Sequence, residues 1–180
     1  VMDSNIAPPS DSQLLDDGVR VLSWLMSYSK TRTGAKIRFV DQRKRSKSLA
    51  LRIFHAKKAE KTALYPQLLS CVAITLRQTK KARDKVHCDA TDAIEAQLWV
   101  REVEHYRALL LKVIDQTQRR VFNGEKVPVA DKVVSLFEPH TDIIVKDRRK
   151  THYGHKLNLA TGASGLILDC VVEQGNPSDV

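Results

Sequence analysis

Residues 131–179 read DKVVSLFEPHTDIIVKDRRKTHYGHKLNLATGASGLILDCVVEQGNPSD, and this stretch decides which kind of fold the chain can adopt. Pro128, Pro139 and Pro177 interrupt any long helix here, because proline lacks the N–H and clashes with the preceding turn. β-branched and apolar runs stand between them: Ile143–Ile144–Val145, then Leu157–Asn158–Leu159. The segment Thr161-Gly-Ala-Ser-Gly165 is a turn signal, and Leu166–Val172 is a partner for the strand before it. The pattern predicts a β-hairpin over about 153–173. Two strands alone are marginal in water, so this hairpin needs something larger to pack on.

Working back towards the amino terminus, the period changes from two to 3.6. Asn123–Gly124 is a left-handed stop for a helix. Asp89 and Asp92 predict its opening, so a helix over roughly 90–122, the longest in the chain, carries the stripe Trp99, Val103, Tyr106, Leu110 and Val113. Pro66 suits the first turn of another helix, with Leu69, Val72 and Leu76, that fades into KKARDK at 80–85. Residues 35–62 read as a mostly solvated helix with sparse apolar contacts from Ile37, Val40, Leu49, Ile53 and Phe54. The first helix begins at Ser10, which has Gln13 at capping-box spacing and Asp11 as a second cap oxygen. Leu15, Val19, Leu22 and Met26 form its stripe. Residues 1–9, closed by Pro8–Pro9, read as the end of another element running into a loop. The expectation is an α+β chain: a helical region of three to four helices over 10–124, then a strand region over 125–180. Both ends read as interior to a longer protein, and no internal repeat is visible.

Composition narrows the class. Among 180 residues, 42% are hydrophobic and 28% charged, which is a globular balance and excludes wholesale disorder. No run of about 18 apolar residues exists, so a membrane span is not expected, and the start lacks the pattern of a secretory signal. Cys71, Cys88 and Cys170 are odd in number and widely spaced, which argues against a disulfide framework or zinc ribbon and for a reducing, cytoplasmic setting.

The formal charge is +9, from 30 basic and 21 acidic residues, and it is unevenly spread. Residues 30–58 hold eleven bases against Asp41 alone. KKARDK adds an excess of three, and residues 146–156 add an excess of four. Clustered cations suit a polyanion, since each neutralised phosphate releases condensed counterions; a solvated helical face is the alternative for any single run.

Local chemistry is sparse. His152 and His155 form an HxxH whose spacing, on a strand, sends the two side chains to opposite faces. His87–Cys88 lacks further ligands nearby. Asp3, Asp142 and Asp169 could pair in space for two-metal chemistry, but nothing local demands it. Gly162 and Gly165 belong to a turn, with no phosphate-cradling GxxxxGK[ST]. Trp99 and Tyr106 lie on a core stripe. The run Lys146-Asp-Arg-Arg-Lys-Thr-His-Tyr-Gly-His-Lys156 presents cations at the start of a strand, where phosphate contacts are the natural use and a charge-protected edge strand is the alternative.

At these residues a resemblance emerges. Asp131–Asp179 resembles bacterial insertion-sequence transposases of the DDE type, in particular the group catalogued as ISNCY. Residues 1–22, VMDSNIAPPSDSQLLDDGVRVL, match the family pattern V-x-[ED]-x-N-I-x-x-P-[ST]-D-S-x-L-L-x-D-G-V-R-V-L. The resemblance implies an RNase H-like core with a helical insert, of which residues 125–180 would supply two or three strands. It also implies two Mg²⁺ or Mn²⁺ ions on an Asp-Asp-Glu triad, DNA transposon ends as partner, and a homo-oligomeric intact enzyme. The family's catalytic acids would lie before Val1 and after Val180, so no catalytic residue and no metal ligand carries over, and the chain alone is expected to be inactive. Asp3 matches a non-catalytic [ED] position. DNA contacts are expected at Lys146, Arg148, Arg149, Lys150, His155 and Lys156, and in the 30–58 run at Arg43, Lys44, Arg45 and Lys47, with nucleoid association when bound. The alternative is a free-standing basic helical nucleic-acid-binding protein without catalysis.

Overall fold

Helix α1, Asp11–Ser27, occupies the middle of the molecule. Its N-cap is Ser10, whose hydroxyl accepts from the Gln13 backbone N–H at 3.2 Å, satisfying one of the donors a helix start leaves without a partner. Gln13 does not close the capping box: its amide reaches forward to Asp17 at 3.4 Å. The predicted stripe Leu15, Val19, Leu22 and Met26 is buried, and burial extends round the helix to Leu14, Gly18, Ser23 and Leu25, as befits an element covered on several sides. A computed structural model of the chain describes residues 9–89, 94–146 and 150–173.

Four further helices pack round α1: the short α2, Ser29–Thr33, then α3, Arg43–His55, α4, Lys58–Asp89, and α5, Ile94–Thr117. Together α1, α3, α4 and α5 enclose one continuous apolar core that includes Leu22, Ile53, Leu68, Val72, Trp99 and Leu110. Trp99 is fully buried, and its indole N–H donates to the Leu25 carbonyl at 3.0 Å. That carbonyl lies in the last turn of α1, where no intrahelical donor remains. At Gly18 α1 packs tightly on α5: a Cβ there would stand 2.4 Å from Leu110 Cδ1.

Several sequence expectations are corrected. Among the described residues five α-helices stand where three to four were expected. The basic 35–62 segment is not one helix: residues 35–42 form an extended loop, α3 begins at Arg43, and α4 already starts at Lys58. Pro66 consequently lies inside α4 rather than in a first turn. Removing one i→i−4 hydrogen bond is tolerated because Leu64, Tyr65 and Leu68 around it are buried in the core, and packing outweighs the local preference. α4 continues through KKARDK to Asp89, so it and not α5 is the longest helix, with 32 residues. Asp89 ends α4, while Asp92 lies outside the described residues. α5 passes into a π-helical turn, Gln118–Phe122, and stops at Gly124, whose φ of 69° is the expected left-handed conformation.

The strand region holds two antiparallel hairpins where one was expected. β1, Asp142–Lys146, pairs with β2, Lys150–Gly154, with Ile144 opposite His152. β3, Lys156–Thr161, pairs with β4, Ile167–Glu173, with Leu157 opposite Val172 and Leu159 opposite Cys170. This second hairpin is the predicted one, with the Gly162–Gly165 turn where the sequence placed it. The fold is mixed helix and strand, mainly helical.

The segment between α5 and β1 is tied to the helices at one buried polar joint. The Gln116 amide donates to Asp11 Oδ1 at 2.6 Å, and its carbonyl accepts from the Val133 N–H at 2.9 Å. Arg120 adds a 2.9 Å bond to the same Asp11 oxygen. Asp11 therefore links α1 to α5 and does not act as a second cap.

Candidate nucleic-acid interface

α3 buries Ser46, Leu49, Ala50 and Ile53, the i, i+3, i+4, i+7 positions of one face. Everything opposite is solvated, including Lys44, Arg45, Lys47 and Arg52. None of these four makes an ion pair among the described residues. Arg43 differs: its guanidinium grips Asp41, with Nε 3.0 and 2.9 Å from the two carboxylate oxygens and Nη2 at 2.7 Å. This partner holds the Asp41 carboxyl below its usual pKa, while Asp41 also accepts from the Arg43 backbone N–H at 2.9 Å. Bases in the first turn and a half of α3 stand at the positive end of the helix dipole, an unfavourable place for them. Asp41, and Asp16 through Ser46, offset that in part. A local rule broken without a structural return points to use elsewhere.

A second group of cations lies beside α3. In the loop leading to it, Ala35, Ile37 and Phe39 turn inward while Lys36, Arg38 and Val40 face solvent. This alternation is that of extended chain. On α4, Lys81 and Lys85 are one turn apart and so share a face. The two pairs confront one another across a cleft of about 490 Å³, whose floor includes Ile37 and Ala82. Gln78 fixes the geometry: its side-chain carbonyl accepts from the Val40 N–H at 2.7 Å, and its amide donates to the Val40 carbonyl at 3.4 Å. None of the four cations has an acidic partner among the described residues. Arg83, between Lys81 and Lys85 in sequence, faces elsewhere and pairs with Glu104 and Asp84. Sequence reasoning missed this cleft because it read 35–42 as helix. The alternation over 35–40 was the available signal.

The expected hairpin contacts fare differently. Arg148 and Arg149 lie outside the described residues, as does Asp3. For Lys146 and Lys150 the backbone alone is described, as register partners at the turn end of the first hairpin. His155 is half-buried: its ring stacks on His140 with centroids 5.0 Å apart, and Nδ1 lies 3.6 Å from Asp142 Oδ2. Lys156 opens β3 and is also only partly exposed. The four-cation cleft is lined by none of the ten residues singled out from the sequence. Asp142 and Asp169 do not converge, since Asp142 faces His155 and Asp169 accepts from the Cys170 N–H at 2.8 Å. Among the described residues no group of three or more His, Cys, Asp or Glu side chains could hold a metal ion. Burial raises the Cys71 thiol pKa, which removes it from nucleophilic or ligating roles. No described helix is long and apolar enough to cross a membrane.

No family model, no functionally characterised protein and no solved structure matches the chain.

Proposed function

We propose that the chain binds DNA through its helical body, and that it is the central part of a transposase that cuts and joins transposon ends by two-metal phosphoryl transfer. The observation that carries the binding reading is the cleft where Lys36, Arg38, Lys81 and Lys85 converge without acidic partners among the described residues. The exposed Lys44, Arg45 and Lys47 on α3 extend the same cationic surface. Four to seven phosphate contacts predict that log K falls against log salt with a slope of about −4 to −6 on duplex DNA.

The transposase reading rests on the resemblance of residues 1–22 and 131–179, and the strand region supports it in one respect. On the second hairpin, Leu157, Leu159, Cys170 and Val172 share one face, and all are exposed. An amphipathic hairpin of this kind is suited to one layer of a larger sheet packed on helices, as an RNase H-like core would provide. In that reading Mg²⁺ or Mn²⁺ is held by acids outside residues 1–180, and this chain supplies binding and positioning, not catalysis. The other reading, a free-standing nucleic-acid-binding protein, is favoured by the closed core of the helical body.

The test is a fluorescence-anisotropy titration of labelled element-end duplex between 50 and 300 mM salt. Replacing all four cleft cations by Gln should flatten the slope by about 3 to 4, at 0.9 per phosphate. A salt-independent affinity, or none at low salt, overturns the binding reading. Strand cleavage by the purified chain with Mg²⁺ or Mn²⁺ would overturn the assignment of the catalytic acids elsewhere.

A further inference from the structure

A separate cavity of about 350 Å³ opens between α1, α5 and the segment preceding β1. Its walls are aromatic: Trp24 from α1, Tyr106 from α5 and Phe137 from the segment. Trp24 and Phe137 are 40% and 52% exposed, so two large rings face solvent at a position where a core would have covered them. The rim is charged. Arg20 lies over the Phe137 ring at 5.6 Å, and Arg43, the first residue of α3, also lines the opening. Arg32 sits 5.9 Å from the Trp24 ring centroid and bonds Glu102 Oε2 at 2.7 Å, which holds the indole and the carboxylate in place from outside. Glu102 itself lines the pocket.

We propose that this pocket receives one unpaired nucleobase of the bound DNA, stacked on Trp24 and framed by Tyr106 and Phe137. Flat π-faced walls suit a heterocycle, because base–aromatic stacking needs no particular sequence and works for any base. The volume falls in the range of small-ligand sites. Arg20 and Arg43 at the mouth are held by Asp17 and Asp41, and their remaining N–H groups can meet the phosphates on either side of an extruded base, while Glu102 can accept from an exocyclic amino group. Arg43 gives continuity, since it belongs both to this rim and to the start of the cationic helix. A strand held along α3 thus lies beside the opening. The inference rests on the DNA-binding reading and adds to it a contact with a base.

The chain reports on this pocket directly, because its two tryptophans differ. Trp99 is buried and hydrogen-bonded within the core, so only Trp24 can meet a ligand. The experiment titrates the full chain with a duplex carrying a short single-stranded overhang, and with the same duplex bearing abasic residues in the overhang. Tryptophan emission should fall substantially with the first and little with the second, and Trp24→Phe should remove most of the change. Trp24→Ala should weaken overhang binding about tenfold while leaving blunt-duplex binding within twofold, the size of one lost stack. If the overhang DNA binds with equal quenching by the abasic strand, or if Trp24→Ala leaves its affinity unchanged, the pocket inference fails while DNA binding stands. If no DNA binds at low salt, both fail. Thermal unfolding of each variant separates lost folding from lost contact. Trp24 is two-fifths exposed, so its replacement should leave the core intact.

Discussion

Gly18→Ala probes the packing that builds the molecule. Gly18 is buried in the middle of α1, where alanine would ordinarily stabilise a helix by about 1 kcal/mol through the lower entropy of its unfolded state. Here the added methyl would lie 2.4 Å from Leu110 Cδ1, 2.9 Å from Cδ2 and 3.1 Å from Cγ. Leu110 is fully buried and cannot swing into solvent. Either its rotamer is forced or α1 and α5 separate, and overpacking of this kind costs about 1–3 kcal/mol. Because the whole end of the leucine is struck, the upper half of that range applies. The net expectation is a loss of about 1–2 kcal/mol, or a Tm lower by about 2–8 °C at this chain length.

The partner substitution makes the argument specific. Leu110→Ala alone should cost about 2–5 kcal/mol by opening a cavity. The double variant Gly18→Ala/Leu110→Ala removes the clash and partly fills that cavity, so it should be more stable than the sum of the singles implies by about 1–2 kcal/mol. Urea and thermal unfolding followed by circular dichroism at 222 nm measure all four corners of the cycle. If Gly18→Ala raises Tm and the two changes add without coupling, the close crossing of α1 and α5 described here is wrong.

Three other perturbations follow from buried or charged groups. Burial pushes the Asp16 carboxyl above its usual 3.8 although the Ser46 hydroxyl donates to it, so the protonated form is the one that folding favours. Its contribution is complete below the unfolded value and is lost as pH rises through the folded one. Asp16→Asn should therefore match the wild type near pH 3 and be the more stable at pH 7, by chemical denaturation at both; the reverse order would refute this. Gln116→Leu leaves the Val133 N–H without its buried partner and Asp11 with Arg120 alone, and should cost about 1–3 kcal/mol. Hydrogen exchange should accelerate around 131–136 in that variant, and unchanged protection would show that the joint does not hold the segment. Asp41→Ala removes the carboxylate that accepts from the Arg43 backbone N–H at the start of α3 and frees the Arg43 guanidinium, so stability should fall by about 1 kcal/mol while duplex affinity rises severalfold at 100 mM salt. A fall in affinity at unchanged fold would place Arg43 outside the interface.

Local signals read well where local physics decides. The Ser10 cap and the stripe Leu15–Met26 needed only hydrogen-bond and periodicity arguments, as did the left-handed stop at Gly124 and the turn between β3 and β4. They failed where packing overrode them. Pro66 is an ordinary boundary mark, yet it sits within α4 because the residues flanking it are buried. Residues 147–149 separate two strands by too few residues for the alternation to register, so the first hairpin went unread. Among the candidate contacts, Lys44, Arg45 and Lys47 are exposed on one helix as their spacing allowed, whereas Arg43 is neutralised by a neighbour two residues away. His155 looked like a strand-borne cation and instead stacks on His140.

By itself the sequence determined the class: helices followed by strands, a positive charge gathered in a few runs, and no local set of metal ligands. These follow from periodicity, capping and counting, which act over a few residues. Only the tertiary structure decided where the charges meet. Lys36 and Arg38 stand more than forty residues from Lys81 and Lys85, and they share a cleft because Gln78 binds the backbone of Val40. Trp24, Tyr106 and Phe137 come from three distant segments and form one pocket because α1 is the helix that all the others pack against. Such sites are properties of which elements touch, and that depends on side-chain volumes and buried polar joints such as Asp11–Gln116–Val133 acting across the whole chain.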